Sequence, residues 1–453
     1  MLPLSPIFKA YDIRGTTPDQ LDAEVCRAVG AAFARFAAAP RICVARDMRD
    51  TGLALSHAFA EGAMAQGVDV IDLGLASTDL IYFASGKLDC PGALFTASHN
   101  PAKYNGIKLC LAGAKPVGED SGLREMQAAI EAGIPAGPGG GTRTERDMLE
   151  AFAQHVLSFV DRDSLKPLKV VADTANGMGG LVVPKVFDHL PFDLEIMYGE
   201  LDGSFPNHPA DPIQPENQRD LMARVLETGA DIGLAFDGDA DRAFIVDEKG
   251  KGISGSTTTA IVAKSMLAKH PGSKIIYNLI CSKAVPEIVR ENGGEPIRTR
   301  VGHSFIKAIM AESGAVFGGE HSGHYYFRDN YRADSGLITV LVVLELLCAS
   351  GQPLSELRKP FERYAASGEI NTKVADPHAV VERLAARFAS DEAVTIDLLD
   401  GLTVDHAGSG GAAWWFNIRP SNTEPLLRLN LEAATVAECE LHTSAILNLI
   451  TAP

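Results

Sequence analysis

Helix-period segments alternate with short β-branched runs through most of this chain, and that alternation restricts its fold more than any other feature. A helical pattern near 19–37 leads into RICVA (41–45), and a second near 52–65 leads into VDVIDL (68–73) and ALFT (93–96). Such alternation predicts α/β layers. At 453 residues the chain also exceeds the roughly 250–300 residues that one hydrophobic core organises. Several domains are therefore expected.

The breaker cluster AGIPAGPGGGT (132–142) and a Thr144-x-x-Asp147 cap, read as opening a helix, put a boundary near 140–147. A second set of strands follows in LKVVAD (168–173), LEIMY (194–198), IGLAF (232–236) and FIVDEKGKGI, with Lys249-Gly250 as a hairpin tip. A third set runs from a helix near 256–269 and KIIYNL (274–279) to helices at 335–349 and near 353–364. The remainder, with EINTKV, VTIDLL, WWFNIR, LLRLNLEA and a final helix, reads as a small antiparallel α+β domain. The expected division is 1–143, 144–250, 251–365 and 366–453.

Forty-one basic against 58 acidic residues leave a net charge of −17. That balance argues against binding nucleic acid or anionic lipid. The longest apolar stretch, Leu337 to Cys348, is about 12 residues where about 20 are needed to span a bilayer. Seven scattered cysteines without a C-x-x-C pair suggest neither a disulfide framework nor a zinc knuckle, and a reducing cytoplasmic setting is expected.

Four unusual loops each follow a short apolar strand: FTASHNP (95–101), AFDGDADR (235–242), VFGGEHSGH (316–324) and FNIRPSNTEP (416–425). Open α/β sheets bind ligands at the carboxyl ends of strands, so four such loops suggest one site at a junction of domains. Asp237, Asp239 and Asp241 would repel one another unless a hard dication lay among them. An EF-hand fails because Arg242 occupies the sixth loop position, where glycine is required. Mg²⁺ keeping water or phosphate oxygens suits three carboxylates better than a closed Ca²⁺ cage. Ser98, His99 and Lys108 offer a hydroxyl, an imidazole and an ammonium within eleven residues. Arg419 to Thr423 supplies a guanidinium, hydroxyls and an amide suited to a tetrahedral dianion. Glu320 to His324 fits sugar hydroxyls, or His321 and His324 could ligate a metal. No Walker A or dinucleotide fingerprint occurs, which argues against a kinase or dehydrogenase.

FKAYDIRG (8–15), TASHNP (96–101), DGDADR (237–242), GEHSGH (319–324) and RPSNTEP (419–425) together resemble the α-D-phosphohexomutase family, in the family's order and over the whole chain. The resemblance implies three related mixed α/β domains plus a smaller C-terminal α+β domain around a central cleft. It implies that Ser98 carries a phosphoryl group, with Mg²⁺ held by Asp237, Asp239, Asp241 and a phosphoserine oxygen. Arg14 and Arg242 would steady that group, Tyr11 would shape the pocket, and His99 and Lys108 would act as acid and base. Glu320, Ser322 and His324 would read sugar hydroxyls, with Lys283 and His303 also touching the sugar. Arg419, Ser421, Asn422 and Thr423 would clamp the resident phosphate. The implied activity moves phosphate between C1 and C6 of a hexose through a hexose 1,6-bisphosphate.

ELDGSFPNHPADPIQPEN (200–217) and RTRVGHSFIK (298–307) look closest to bacterial phosphomannomutases. Asn422 and His321 argue against an amino sugar, and GISGSTTTA (252–260) lacks an Arg that some dual-specificity relatives carry. The expected partner is a small phosphosugar, taken by a monomer or weak homodimer. Phosphoglucomutase and phosphoglucosamine mutase are the alternatives within the family. A metal-dependent phosphatase and a non-catalytic metal-stabilised binding protein are the alternatives outside it.

Overall fold

A computed structural model describes residues 3–406, 413–420 and 426–452. Its architecture is three α/β/α domains and a C-terminal domain built on an antiparallel sheet. In the first sheet Gly92–Phe95, Arg41–Arg46, Asp69–Leu75 and Arg143–Glu145 run parallel in that order, and Tyr104–Leu111 joins Gly92–Phe95 antiparallel. The second places Ile232–Phe236 parallel to Lys169–Asp173, then Ala243–Asp247 antiparallel to it. The third repeats the scheme with Phe317–Gly319 parallel to Lys274–Asn278 and antiparallel to Tyr325–Phe327. Each unusual loop of the first three domains therefore leaves the carboxyl end of a parallel strand and returns as a hairpin. Phe95 pairs with Ile107, Phe236 with Ala243 and Gly319 with Tyr325, which fixes where each loop begins and ends. In the fourth domain Trp414–Pro420 and Leu426–Ala433 are likewise antiparallel neighbours.

The first three domains share a continuous apolar core. Buried Leu80 and Ile81 of the first pack in one cluster with Val182 and Leu234 of the second and Ile261 and Leu341 of the third. The fourth domain closes its own, around Leu402, Phe416 and Leu429. Burial of this kind gives about 25 cal/mol per Å² of apolar surface, so the shared cluster fixes three of the loops relative to one another.

Three elements differ from the sequence expectation. Arg143–Glu145 is an edge strand, with Val70 opposite Arg143, so Thr144 caps no helix. The helix begins instead at Leu149, whose N–H donates to Asp147 Oδ1 at 2.8 Å. The helix expected near 353–364 is one turn, Leu354–Leu357, followed by a 3₁₀ turn containing Pro360. Between 78 and 88 an unanticipated helix, Thr78–Leu88, is buried on nearly every side. A helix without a solvent face shows no 3.6-residue pattern. No single helix among the described residues is long and apolar enough to cross a membrane.

Candidate active site

Ser98 stands in the left-handed region at φ 47 and is 5% exposed. A non-glycine residue holds that conformation only where its surroundings over-determine it. Thr96 Oγ1 accepts the Ser98 N–H at 2.9 Å. The Arg49 guanidinium donates to the carbonyls of Ser98 (2.8 Å), Asn100 (2.7 Å), Pro101 (3.0 Å) and Tyr104 (3.0 Å). Arg49 is buried, pairs with Asp47 at 3.2 Å and lies over the ring of Phe205 from the second domain. Sequence reasoning passed over Arg49, because RDMRD resembles a solvated loop. The available signal was four charges placed directly after the apolar strand RICVA.

The second loop brings its carboxylates against this serine. Ser98 Oγ donates to Asp237 Oδ2 at 2.8 Å, and Arg242 donates to the same oxygen through Nε at 3.0 Å. Asp237, Asp239 and Asp241 are all buried, with one carboxylate oxygen from each within 4.8 Å of the others. Asp239 Oδ2 accepts from Thr78 Oγ1 at 2.6 Å and Lys108 Nζ at 2.8 Å, and Asp241 Oδ2 accepts from Lys108 at 2.7 Å. Their other oxygens, Asp239 Oδ1 and Asp241 Oδ1, are buried with no hydrogen-bond donor. Orphaned buried carboxylate oxygens are costly. Two of them in a group of three buried carboxylates fit a divalent cation held by hard oxygen donors.

Burial opposes ionisation of Asp237 and raises it well above the usual carboxylate range, with Asp241 and Asp239 adding to the rise against Arg242. Burial also works against Asp239, but the Lys108 ammonium outweighs it and holds that carboxyl below its ordinary value. Lys108 is desolvated yet raised well above the usual lysine value by Asp239 and Asp241. It is thus a fixed cation, unsuited to giving up a proton. His99 is the opposite case: burial, then Arg242 and Arg14, press it well below the ordinary imidazole value. Its Nδ1 accepts from Arg242 Nη2 at 2.7 Å and lies 3.2 Å from Ser98 Oγ. The imidazole is therefore neutral, with Nδ1 free of a proton. Arg14 joins the group by donating to Asn100 Oδ1 and Asp12 Oδ2, each at 2.5 Å.

The third loop closes over the second. Arg242 and His324 form an antiparallel bridge, and Ala243 N–H donates to the Gly323 carbonyl at 3.3 Å. His324 lies 3.7 Å from both Asp241 Oδ1 and Glu320 Oε2, and its Nδ1 is 3.0 Å from Ser322 Oγ. His321 turns away and bonds Ser256 Oγ at 2.9 Å, so the two histidines do not face one ion together. Buried Glu320 accepts from Tyr326 Oη at 2.7 Å, Asn278 Nδ2 at 3.1 Å and Gly302 N–H at 3.2 Å. Gly302, at φ 131, is where Tyr11 crosses: a Cβ there would stand 2.6 Å from the phenol oxygen. Burial, then Asp400 and Glu320, raises that phenol.

Lys283 and Arg419 are held by partners near the fourth domain. Lys283 Nζ pairs with Asp405 at 2.5 Å, and its N–H donates to Glu432 at 3.1 Å. Arg419 donates to Glu369 at 3.2 Å, while its Nε, buried, has no acceptor among the described residues. Ser421, Asn422, Thr423 and the side chain of His303 lie outside the described residues.

Four family descriptions match the chain in order. These are "Phosphoglucomutase/phosphomannomutase, alpha/beta/alpha domain I" over 5–134, domain II over 149–251, domain III over 254–364, and the C-terminal domain over 369–447. A phosphomannomutase of Salmonella montevideo is 40% identical over 454 residues, covering 98% of each chain. A protein of Xanthomonas campestris pv. campestris described as "Phosphohexose mutases" is 40% identical over 450 residues, 98% of this chain and 99% of its own. Among solved structures, a phosphoglucomutase/phosphomannomutase family protein from Burkholderia thailandensis superposes with a TM-score of 0.90 at 33% identity, over 99% of this chain and 98% of its own.

Proposed function

We propose that this chain, which belongs to the phosphoglucomutase/phosphomannomutase family and is a phosphohexomutase, interconverts mannose 1-phosphate and mannose 6-phosphate through a phosphoserine at Ser98. One observation carries the reading: Ser98 Oγ is held in a strained turn 2.8 Å from Asp237, beside two buried carboxylate oxygens that lack donors. Mannose is put first because the Salmonella montevideo relative is a phosphomannomutase, with glucose phosphates next because the family description pairs the two.

In the proposed cycle the sugar hydroxyl attacks the phosphorus of phosphorylated Ser98. The new P–O bond forms on the sugar as the bond to Ser98 Oγ breaks. The proton that leaves the sugar hydroxyl ends on Ser98 Oγ, with neutral His99 3.2 Å away helping to orient the groups, and the serine hydroxyl then rests on Asp237. The resulting 1,6-bisphosphate turns over, and its other phosphoryl group returns to Ser98 while the proton retraces its path. Arg14, Arg242 and Lys108 supply fixed positive charge around the transferring group, the main requirement of such a reaction. Mg²⁺ held by Asp237, Asp239, Asp241 and a phosphoserine oxygen would add charge neutralisation at the transferring oxygens. Arg419, with Ser421, Asn422 and Thr423, would hold the phosphate not in transfer. Glu320, Ser322, His324, Lys283 and His303 would hold the sugar hydroxyls. Seven cysteines, all buried and unpaired, suit a cytoplasmic enzyme.

Intact-mass measurement alongside parallel assays with mannose, glucose and glucosamine phosphates tests this. About 80 Da of added mass on Ser98 and a kcat/KM highest for mannose are expected, with loss of both turnover and added mass in Ser98→Ala. Full turnover by Ser98→Ala would overturn the phosphoserine. Release of free phosphate in place of isomerisation would convert the reading to a phosphatase.

A further inference from the structure

A cleft of about 800 Å³ opens between the first and third domains, to one side of the transferring groups. Its walls come from 8–11 and 114–121 of the first domain and from Arg300, 304–311 and 331–332 of the third. Tyr11 is common to both sites, but Ser98, the three aspartates, Glu320 and Arg419 do not line it. Its volume falls within the 300–1,000 Å³ typical of small-molecule sites.

The charge in this cleft is opposite to that of the chain. Lys9, Lys115, Arg300, Lys307 and Arg332 line it in a protein of net charge −17. Lys307 is matched by Asp334 at 2.8 Å. The two acidic residues on the walls, Glu119 and Asp120, are taken by Arg124 at 2.6 and 3.1 Å. Lys9, Lys115, Arg300 and Arg332 are left without a carboxylate partner among the described residues. Arg332 is brought there by a strained pair, Tyr331 at φ 54 and Arg332 at φ 62. That strain is braced against the first domain: Tyr331 covers Gly86, where a Cβ would stand 2.4 Å from its ring. Concentrated unmatched cations in a concave site raise the local potential and draw anions. Phe305, stacked beneath Arg300 at 4.5 Å, and Pro116 add apolar faces suited to a ring.

The geometry points to a second binding site for a phosphorylated small molecule, separate from the site of phosphoryl transfer. A ligand there touches the first and third domains at once. Its phosphate meets cations from both, and its ring meets Phe305 and Pro116.

Equilibrium dialysis in the Ser98→Ala background, where turnover is blocked, tests this with two probes, mannose 6-phosphate and ADP. Measurements at physiological salt screen exposed charges beyond about 8 Å, so mere steering gives no stoichiometric binding. At least one probe should bind at a place that Lys115→Ala/Arg332→Ala weakens at least tenfold, whether or not it also fills the transfer site. Lys115→Arg/Arg332→Lys should retain it. In the chain with Ser98 intact, the double alanine variant should keep its kcat within twofold, which shows that it folds. Sugar phosphate alone, ADP alone or both filling the second place identifies which phosphorylated class the cleft accepts. Binding of both probes that Lys115→Ala/Arg332→Ala leaves undiminished, or no binding of either, overturns the proposal.

Discussion

The α-carbon of Gly238 is packed against the peptide of Ser98 so closely that a Cβ on Gly238 would stand 2.4 Å from the Ser98 carbonyl oxygen. Two loops from different domains therefore meet backbone to backbone, and that approach brings the Ser98 hydroxyl within 2.8 Å of Asp237. Gly238→Ala must push them apart. Because a displacement near 1 Å costs on the order of 100-fold in rate, kcat should fall about that much. Overpacking of this kind destabilises by about 1–3 kcal/mol. Steady-state kinetics beside thermal melts check both, and unchanged kcat would show that the loops need no such contact.

Arg49 acts on Ser98 through the backbone, since its guanidinium binds four carbonyls of the loop and no reacting atom. Arg49→Lys keeps the charge but loses the planar fork that reaches several acceptors at once. The expected result is kcat down by 10-fold or more with KM changed less than threefold, because the loop loses its shape while the sugar-binding groups remain. A rise in KM alone would contradict a positioning role.

Much of this arrangement could be read from the chain because the loops break the pattern around them. Three aspartates spaced by two, or a Ser-His-Asn-Pro turn, stand out after a buried strand, and the return of Lys108 on Tyr104–Leu111 follows from a hairpin. What the hairpin could not tell is its target: Lys108 bonds Asp239 and Asp241 of the second domain, not Ser98. Contacts across domains carry no local signature, so Tyr11 against Gly302 and Thr78 against Asp239 were invisible. The helix Thr78–Leu88 was missed because nearly every side is buried and hydrophobic periodicity records only a difference between faces. Arg49 shows the converse, a charged loop whose composition suggests solvent and whose side chain is buried.

Lys108 and a bound cation should substitute for one another in part. Without its ammonium, Asp239 and Asp241 lose the cation that bonds both, Asp239 keeping the Thr78 hydroxyl, a loss of about 3–5 kcal/mol for such a buried pair. Lys108→Met should thus melt well below the parent in EDTA and recover part of that difference in millimolar Mg²⁺. The parent should show a smaller Mg²⁺ effect. Activity of both should vanish in EDTA. An equal Mg²⁺ shift in the two proteins would mean that the ammonium and the cation do not act on the same carboxylates.

Asp79, at the buried start of the helix Thr78–Leu88, joins the first domain to the third by accepting the Ser335 hydroxyl at 2.7 Å, with Ser77 donating to its other oxygen. Burial pushes this carboxyl up to about 7, Asp241 and Asp334 adding to the rise while the two serines oppose it. The folded protein thus keeps the proton between about pH 4 and 7, whereas the unfolded chain, with an ordinary carboxyl near 3.9, has lost it. The stability tied to that proton is complete below about pH 4 and disappears as pH rises through about 7. Asp79→Asn resembles the protonated form at every pH, so it should gain on the parent from about pH 4 to about 7 and hold that gain above it. At pH 8 its advantage should reach a few kcal/mol, the order expected for a shift of this size. Urea denaturation of both proteins across that range, at fixed EDTA, measures the difference directly. A difference that stays flat with pH would mean that Asp79 is ionised in the fold, with Ser77 and Ser335 sufficient to hold its charge.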